Sequence, residues 1–271
     1  MLLVGCDGRQ GSRGVGAGSD GQPLFRRPMV EACNPGAAIF PRPLRLVTWN
    51  VAVGRETSIG QVGADLVKLA PDVVLVQELD VGTQRSGTMD QARVLADLLG
   101  MAHTYAAAMA WDGGWFGQGI FSRFPIAEVE VRRLDRPDLS LEPRIGLSAW
   151  LCVGRSILRV ISFHGDSDSA EVAARNAVEV VGWATTRIGD GTILAGDFNA
   201  EFDQRGPQAA LSAGLVDVLG PFDPGPTFGN RRIDFIFADS GLARQVVMAG
   251  IGASTASDHR PLAVDLTFRP R

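Results

Sequence analysis

Short apolar runs of strand length alternate with amphipathic segments along most of the chain. The runs LRLVTW (44–49) and DVVLVQEL (72–79) are rich in β-branched residues and predict two strands. The segment between them, at about 58–69, predicts a helix that stops before Pro71, because proline disfavours helical geometry in the residue before it. Strands that alternate with helices in this way are typical of an α/β fold.

The next elements follow from helical spacing and from a turn. Apolar residues recur every three or four positions over 89–99, with Thr88 as the expected N-cap and Gly100 as the expected end of a helix. The two apolar runs within 144–163 are separated at Gly154 and predict a hairpin.

A third helix is expected to begin at a capping box formed by Asp168 and Glu171 and to reach about Ile188. The strands predicted at 126–133 and 261–268 alternate apolar and polar residues, so each should have one exposed face. Further strands are predicted from the runs TILAG, RIDFIFA and RQVVMAG. Because some strands alternate and others are continuously apolar, the pattern predicts two packed sheets flanked by helices.

Composition narrows the domain organisation and the partners. The 271-residue chain is 45% hydrophobic and 21% charged, which fits one globular domain. Residues 7–22 hold six glycines and no apolar period, so we expect a flexible Gly/Pro-rich tail over 1–43 and one domain over 44–269. No apolar run approaches the roughly 18 residues of a membrane-spanning helix. The net charge of -4 argues against a broadly basic nucleic-acid surface.

The cysteines are Cys6, Cys33 and Cys152, an odd and sparse set that predicts no disulfide framework. Cys152 lies in the apolar run LSAWLCV and is expected to be a small core residue. The stretch LVGC resembles the end of a bacterial lipoprotein signal, with Cys6 as the lipidated residue. We therefore expect a soluble cytoplasmic protein by default, and a lipid-anchored or exported one if translation starts further upstream.

Polar residues interrupt or follow apolar strands at several points. They are Asn50, Glu78, His164, Asp197, Asn199, Asp234, Asp258 and His259. Any one of them has an ordinary structural explanation, such as a turn hydrogen bond or an ion pair. Together they supply carboxylates, amides and imidazoles without the cysteine or paired-histidine spacing of a zinc site, so the set favours Mg²⁺ or Mn²⁺. His103 has no such neighbours and is expected to be structural.

A series of motifs in fixed order now resembles a known family. They are VTWNV, VLVQELD, GQGIFSRFPI, EPRIGLSAWL, ISFHGD, ILAGDFNA, PTFGNRRIDFIFA and ASDHRPLAVDL, and they span about 44–268. Their order resembles the endonuclease/exonuclease/phosphatase superfamily with the DNase-I-like fold. The resemblance implies a four-layer α/β sandwich, in which two mixed β-sheets pack face to face between helices, with the site at one rim.

The resemblance also implies roles by position. Asn50, Glu78 and Asp258 match the metal-binding set, with Glu78 as the principal ligand. Asp197 matches the group that orients or deprotonates water, and Asn199 matches a phosphate-binding amide. His259 matches a phosphate-stabilising or proton-handling residue that Asp234 orients. His164 matches an acid for the leaving oxygen, and Arg144 matches a phosphate contact. Two positions depart from the family pattern: Ala52 stands where some DNA-repair members carry an acid, and Gly165 stands where many members carry leucine.

These groups suit phosphoester hydrolysis. A divalent cation offsets the negative charge of the ester, a carboxylate accepts the proton of the attacking water, and neutral or cationic donors stabilise the developing charge. His164, with an ordinary pKa of about 6.5, is expected to hold a proton near neutrality. Asp197 and Asn199 are two residues apart, which on an extended chain would point both side chains to one side.

The substrate stays open between nucleic acid, a phospholipid head group, an inositol phosphate and another phosphorylated small molecule. The segment AWDGGWFGQ (110–118) is expected to be a rim loop, whose aromatic residues Trp111, Trp115 and Phe116 either contact such a substrate or lie in the core. The alternative to an enzyme is a binding module that has kept the fold without turnover. That alternative predicts eroded catalytic positions, and the strand-end residues are all in place.

Overall fold

The computed structural model describes residues 4–6, 33, 42–186, 191–222 and 224–267. Its strands are, in chain order, β1 (Val4–Cys6), β2 (Leu44–Asn50), β3 (Val73–Val81), β4 (Ala102–Trp111), β5 (Gly114–Ser122), β6 (Ile126–Arg133), β7 (Ile145–Val153), β8 (Ser156–His164), β9 (Thr192–Asp197), β10 (Val216–Asp217), β11 (Asp234–Ala238), β12 (Val246–Ile251) and β13 (Leu262–Leu266). Its α-helices are α1 (Ile59–Leu69), α2 (Gln91–Leu99), α3 (Ala170–Thr185), α4 (Arg205–Ser212) and α5 (Ser240–Ala243). None of these helices is long and apolar enough to cross a membrane.

Two mixed sheets form the centre of the fold. Within the described residues, one sheet has seven strands in the order β1-β4-β5-β3-β2-β13-β12, and the other has six in the order β10-β11-β9-β8-β7-β6. Each sheet contains one parallel pair, β2 with β3 in the first and β8 with β9 in the second, among antiparallel neighbours. The parallel pairs matter for function because they bring the carboxyl ends of four strands to one edge.

The core has three apolar layers. Leu46, Leu75, Leu147 and Ile193 belong to a cluster of residues from both sheets, which packs the sheets against each other. A second cluster joins the first sheet to α1 and α2, and a third joins the second sheet to α3. Helices therefore cover both outer faces, and the four-layer sandwich expected from the motifs is confirmed.

Two predicted helix caps are wrong by one or two residues. Asp90, not Thr88, caps α2, and its carboxylate accepts a hydrogen bond from the Arg93 backbone N–H at 2.9 Å. Ser169, not Asp168, caps α3. In both cases the better-placed oxygen lies immediately before the first helical residue, which is the position that reaches the unpaired backbone N–H groups. The expected end near Ile188 lies outside the described residues.

The segment 110–118 is a hairpin rather than a rim loop. Trp111 ends β4 and Gly114 begins β5, so only Asp112 and Gly113 lie between the strands. Phe116 is buried in the hairpin, whereas the side chain of Trp111 is 47% exposed.

Parts of the predicted tail contact the domain. The backbone of Val4–Cys6 pairs with β4. Arg42 donates a hydrogen bond to the fully buried Asp72 carboxylate at 2.8 Å. Cys33 and Pro43 are the other described residues of the predicted tail, and the boundary at residue 44 stays a prediction.

The structure contradicts the expectation drawn from the cysteine count. Cys33 and Cys152 form a disulfide that spans 119 residues of sequence, and both lie in a buried cluster with Trp150 and Ile157. Cys152 is therefore a cross-linking residue as well as a core residue. The count missed this pair because a separation of 119 residues carries no signal about which positions the fold brings together.

Loss of this disulfide should lower stability without altering the active site. A cross-link that closes so long a loop limits the unfolded chain, so Cys33→Ser should reduce the free energy of unfolding by about 2–5 kcal/mol. Thermal unfolding of Cys33→Ser, Cys152→Ser and the double variant checks this, and the three should have equal melting temperatures. A wild-type melting temperature that does not change on addition of a reductant would contradict the cross-link.

Candidate active site

Strand ends carry the predicted polar residues to one edge where the two sheets meet. In the first sheet β2 ends at Asn50, the register partner of Gln77 on β3. In the second sheet the last residues of β8 and β9, His164 and Asp197, are register partners. The antiparallel neighbour β11 begins with Asp234 opposite Asp197. The grouping follows from topology, because parallel neighbours end at the same edge.

Asn50 connects the two sheets at this edge. Its Nδ2 donates to Glu78 Oε1 and to Asp197 Oδ2, both at 3.0 Å. Its Oδ1 accepts a hydrogen bond from the Ala52 backbone N–H at 3.0 Å. The buried amide thus aligns two carboxylates from different sheets, with its oxygen already bound. The metal-ligand role expected of Asn50 stays a prediction.

Glu78 owes its position to a β-bulge. The pairing of β3 with β5 shifts register between Gln77 and Leu79, and Glu78 has a φ of 58°. A non-glycine residue in this region is strained by about 1–3 kcal/mol. Since Val74 and Val76 pack under the helices of the first sheet, uninterrupted alternation would put Glu78 on that apolar face. The bulge instead leaves the carboxylate partly exposed at the rim, with 21% of its side chain accessible.

The sequence GDFN forms a turn immediately after β9. Asp197 Oδ1 accepts a hydrogen bond from the Asn199 backbone N–H at 2.8 Å, and Asn199 has a φ of 48°. Asn199 Nδ2 donates to Gly165 O at 3.1 Å. The expectation of an extended chain at this point is therefore wrong. Phe198 is fully buried and makes edge-on contacts with aromatic rings that include Phe163 and Phe235, which anchors the turn.

Gly196 and Gly165 allow the two strand ends to approach. A Cβ on Gly196 would lie 2.0 Å from Phe163 O, and a Cβ on Gly165 would lie 2.7 Å from Phe198 O. Gly165 also donates its backbone N–H to Asp197 O at 2.8 Å. The departure from the family's leucine at residue 165 therefore has a steric reason in this chain.

Asp197 is a buried carboxylate in a crowded electrostatic environment. Burial, together with the charge of Asp234, raises the pKa of Asp197 to about 7, although His259 and the hydrogen bonds from Asn199 and Asn50 oppose the rise. Its Oδ2 lies 3.6 Å from His259 Nε2 and 3.7 Å from His164 Nε2. A carboxylate with this pKa can accept and release a proton near neutral pH.

His259 forms a hydrogen-bonded pair with Asp234, whose Oδ2 lies 2.9 Å from His259 Nδ1. Burial by itself lowers the pKa of His259, but the bond to Asp234 and the charges of Asp234, Asp197 and Asp258 outweigh it and raise the pKa to about 9. The imidazolium form therefore prevails at neutral pH. Its Nε2 lies 3.6 Å from Asp197 Oδ2.

His164 has the opposite character. Burial and the positive charges of Arg144 and His259 hold the pKa of His164 well below its ordinary value. Arg144 Nη1 lies 3.1 Å from Nδ1 and 3.4 Å from Nε2, and nearly equal distances to both nitrogens place the cation over the ring. The expectation that His164 holds a proton near neutrality is wrong, because the sequence did not show its burial beside Arg144.

Arg144 itself is enclosed. Its guanidinium donates to Glu142 Oε1 at 2.7 Å and to Ser167 Oγ at 3.1 Å, and the side chain is 5% exposed. These contacts hold the Arg144 guanidinium beside the His164 ring. The direct phosphate contact expected of Arg144 stays a prediction.

Comparison with known proteins identifies the family. The model of the endonuclease/exonuclease/phosphatase family matches residues 47–259, which is most of the chain. The chain belongs to the endonuclease/exonuclease/phosphatase family. Members of this family are hydrolases that act on phosphoester bonds. A search of curated protein sequences gives no match.

Solved structures share the fold. An endonuclease/exonuclease/phosphatase from Beutenbergia cavernae DSM 12333 is 22% identical, with a TM-score of 0.70 over 83% of this chain and 71% of that one. A mannosyl-6-phosphatase from Bacteroides thetaiotaomicron VPI-5482 is 20% identical, with a TM-score of 0.64 over 82% and 99%. An AP endonuclease from Archaeoglobus fulgidus is 19% identical, with a TM-score of 0.62 over 82% and 98%. At these identities the likeness establishes the fold alone.

The donor set contains the oxygen ligands that suit the divalent cation expected in this family. Among the described residues, Asp197, Asp234 and His259 have potential ligand atoms within 4.8 Å of one another. Asp234 and His259 are already bonded to each other, and a protonated imidazole has no lone pair for a metal. The partly exposed Glu78 carboxylate suits a hard cation better, because Mg²⁺ prefers oxygen ligands and retains several waters.

Asp258, the other predicted carboxylate ligand, is exposed next to this group. Its neighbour Ser257 donates to Asn50 O at 2.8 Å and lies 3.3 Å from Asp258 Oδ1. This contact ties the SDH segment to the end of β2. Glu78 and the segment that carries Asp258 therefore both form hydrogen bonds with Asn50.

A buried polar network under the site was missed by sequence reasoning. Gln77 Nε2 donates to Ser162 Oγ at 2.9 Å, Ser162 Oγ donates to Gln118 Oε1 at 2.7 Å, and Gln118 Nε2 donates to Ile145 O at 2.8 Å. These residues bridge the two sheets beneath Glu78 and His164. Polar residues inside continuous apolar strands were the available signal, because buried polar groups need partners.

Proposed function

We propose that this protein is a divalent-metal-dependent phosphoester hydrolase, and specifically a phosphodiesterase in which Asp197 activates the attacking water. One observation carries the proposal. Asp197 is a buried carboxylate with a pKa near 7 that lies within 4 Å of a charged imidazole on one side and a neutral imidazole on the other. A buried carboxylate with this pKa can take up and release a proton near neutral pH, as a general base requires.

The side chains divide the reaction between them. Asp197 accepts the proton of water, while the Asn199 amide, which retains one N–H beside its bond to Gly165, donates to a phosphoryl oxygen. His259, held charged by Asp234, stabilises the negative charge that develops on the phosphoryl group. His164 serves as a neutral hydrogen-bond donor. The acid role first expected of it is not part of this proposal.

Glu78 and Asp258 would hold the cation, which we propose is Mg²⁺ or Mn²⁺. When bound, the cation would offset the negative charge of the phosphoryl and leaving oxygens. Asn50 would keep the Glu78 and Asp197 carboxylates at a fixed separation.

Hydrolysis of bis(p-nitrophenyl) phosphate tests the proposed function. The full-length protein should release p-nitrophenol in the presence of Mg²⁺, and EDTA should abolish the release. Absence of release from this diester with either Mg²⁺ or Mn²⁺, from protein of correct melting behaviour, would contradict phosphodiesterase activity.

Glu78→Gln should weaken metal binding more than it disturbs the fold. The amide keeps the shape of the side chain but removes the charge that attracts the cation, so the Mg²⁺ concentration needed for half-maximal activity should rise about tenfold or more. The matched control is Glu179→Gln, which affects a surface ion pair with Arg132. An unchanged Mg²⁺ requirement would mean that Glu78 is not a ligand.

The dependence of kcat/KM on pH should be bell-shaped, with an acid limb and an alkaline limb. The Asp197 base is available above its pKa of about 7, and the His259 cation is available below its pKa of about 9, so kcat/KM should fall below the first value and above the second. Asp234→Asn removes the partner that raises the pKa of His259, so the alkaline limb should move to lower pH. The pH–rate profiles of both forms measure this, and an alkaline limb that does not move would contradict the role of Asp234.

Charge at the rim bears on the substrate. Burial raises the pKa of Glu142, and the negative charges of Glu78, Asp168 and Asp166 add to the rise, while Arg144 opposes it. These four acids therefore lie near one another at the rim. Non-specific nucleic-acid binding depends on Lys and Arg contacts. The acidic rim therefore favours a small phosphoester over a long polyanion. A panel of plasmid DNA, RNA, abasic-site DNA, sphingomyelin, inositol phosphates and mannose 6-phosphate separates these classes.

A further inference from the structure

An exposed tryptophan stands at the end of the β4–β5 hairpin. Trp111 is 47% exposed, whereas Phe116 is buried and Trp115 is half-buried against the helix-covered face of the first sheet. The residues of β3 that follow Glu78 pair with β5 at Gly117, Phe116 and Trp115. The hairpin therefore extends from the same part of the sheet that carries the Glu78 carboxylate.

The hairpin tip is held in place by the neighbouring loop. The Gln84 backbone N–H donates to Asp112 O at 2.9 Å, and the Arg85 backbone N–H donates to Asp112 Oδ2 at 2.7 Å. Both contacts fix the residue that follows Trp111. A ring that is already ordered loses little further conformational entropy when it binds a ligand.

Arg85 joins this tryptophan to the charged rim. Its Nε and Nη2 donate to the fully buried Asp80 carboxylate at 2.7 and 2.8 Å. Its Cζ lies 5.7 Å from the centre of the Trp111 ring and 5.4 Å from that of Phe116. The hydrogen bond to Asp80 raises the pKa of Arg85 against the effect of burial, and the charges of Glu78 and Glu142 add to the rise.

We propose that Trp111 and Arg85 form a subsite that binds the ring of the group esterified to the substrate phosphate. The proposal rests on the proposed function and names its substrate class, a phosphodiester of a small molecule that carries one flat or pyranose-like ring. The exposed part of the indole contacts the ring, and aromatic stacking of this kind contributes about 1–3 kcal/mol for an aromatic base, equivalent to about 5–150-fold in affinity. Arg85 orders the indole, and the acidic rim disfavours a polyanion.

Binding of phosphonates tests the subsite without turnover. Phenylphosphonate and methylphosphonate carry the same anionic group and resist hydrolysis, and they differ by the ring. Isothermal titration calorimetry of the full-length protein with Mg²⁺ should show phenylphosphonate binding about tenfold more tightly. Trp111→Ala should abolish this difference and leave methylphosphonate affinity unchanged, while Trp111→Phe should retain part of it. Met248→Ala, at an exposed position on β12, is the matched control and should change neither affinity.

Cyclohexylphosphonate distinguishes the two kinds of ring. Tighter binding of phenylphosphonate than of cyclohexylphosphonate supports a nucleobase or aryl group, and the reverse order supports a sugar. If the wild type binds phenylphosphonate no more tightly than methylphosphonate, or if Trp111→Ala keeps the difference, the subsite is overturned. Hydrolysis of bis(p-nitrophenyl) phosphate by the same protein would then show that the proposed function survives.

Discussion

Asp197→Asn should reduce kcat by at least about 10²-fold, because the amide cannot accept the proton of the attacking water. KM should stay within several-fold of the wild type, since Asp197 acts after the substrate has bound. The fold should persist with a modest loss of stability, because the replacement side chain has the same shape but its single oxygen can accept only one of the bonds that the Asn199 backbone N–H and the Asn50 amide donate in the wild type. Steady-state kinetics with saturating Mg²⁺, together with thermal unfolding, measure both effects.

Asp265→Asn is the matched control for this variant. Asp265 lies on β13 and forms an ion pair with Arg45, away from the catalytic edge. Its replacement should leave kcat near the wild-type value. Near-wild-type kcat in Asp197→Asn would show that another group activates the water.

His259→Asn should have an effect of similar size. The variant loses the cation that faces the phosphoryl group, and removal of one such stabilising donor costs about 10²–10³-fold in kcat. It also leaves Asp234 without its partner at 2.9 Å, so some loss of stability should accompany the loss of turnover. Kinetics and melting temperature together separate the two effects.

His103→Asn is the appropriate comparison for His259→Asn. His103 is buried in the first sheet and stacks on Phe121 with ring centres 5.8 Å apart, as the structural role expected from sequence requires. Its replacement should lower stability and leave kcat unchanged. If His259→Asn behaves in the same way, His259 is a structural residue.

Most of the strands and the polar residues at their ends could be predicted from sequence, although β4 and β5 were not, and the reason is physical. A polar residue that ends an apolar strand marks the sheet edge, and parallel pairing then brings such residues together, as for His164 and Asp197. Strand β6 (Ile126–Arg133) was predicted to the residue because polar and apolar side chains alternate through its centre, over 128–131. Helix caps failed by one or two residues, since several neighbouring side chains can accept the same hydrogen bond.

Other features depended on contacts that local sequence does not encode. The bulge at Glu78 and the turn at Asn199 are backbone departures from regular geometry, and each reverses what alternation alone would predict. The charge state of His164 depends on Arg144, which lies 20 residues away on another strand end. The disulfide joins Cys33 to Cys152. Each of these required the tertiary arrangement.

The double variant Asp197→Asn/His259→Asn tests the central claim most directly. If the carboxylate base and the imidazolium act in one transition state, removal of either disables the same step, and the second substitution adds little. Measured kcat for the double variant should therefore lie within about tenfold of the less active single variant. A fall equal to the product of the two single effects, about 10⁴-fold or more, would show that the two residues act independently and would contradict their action as one catalytic unit.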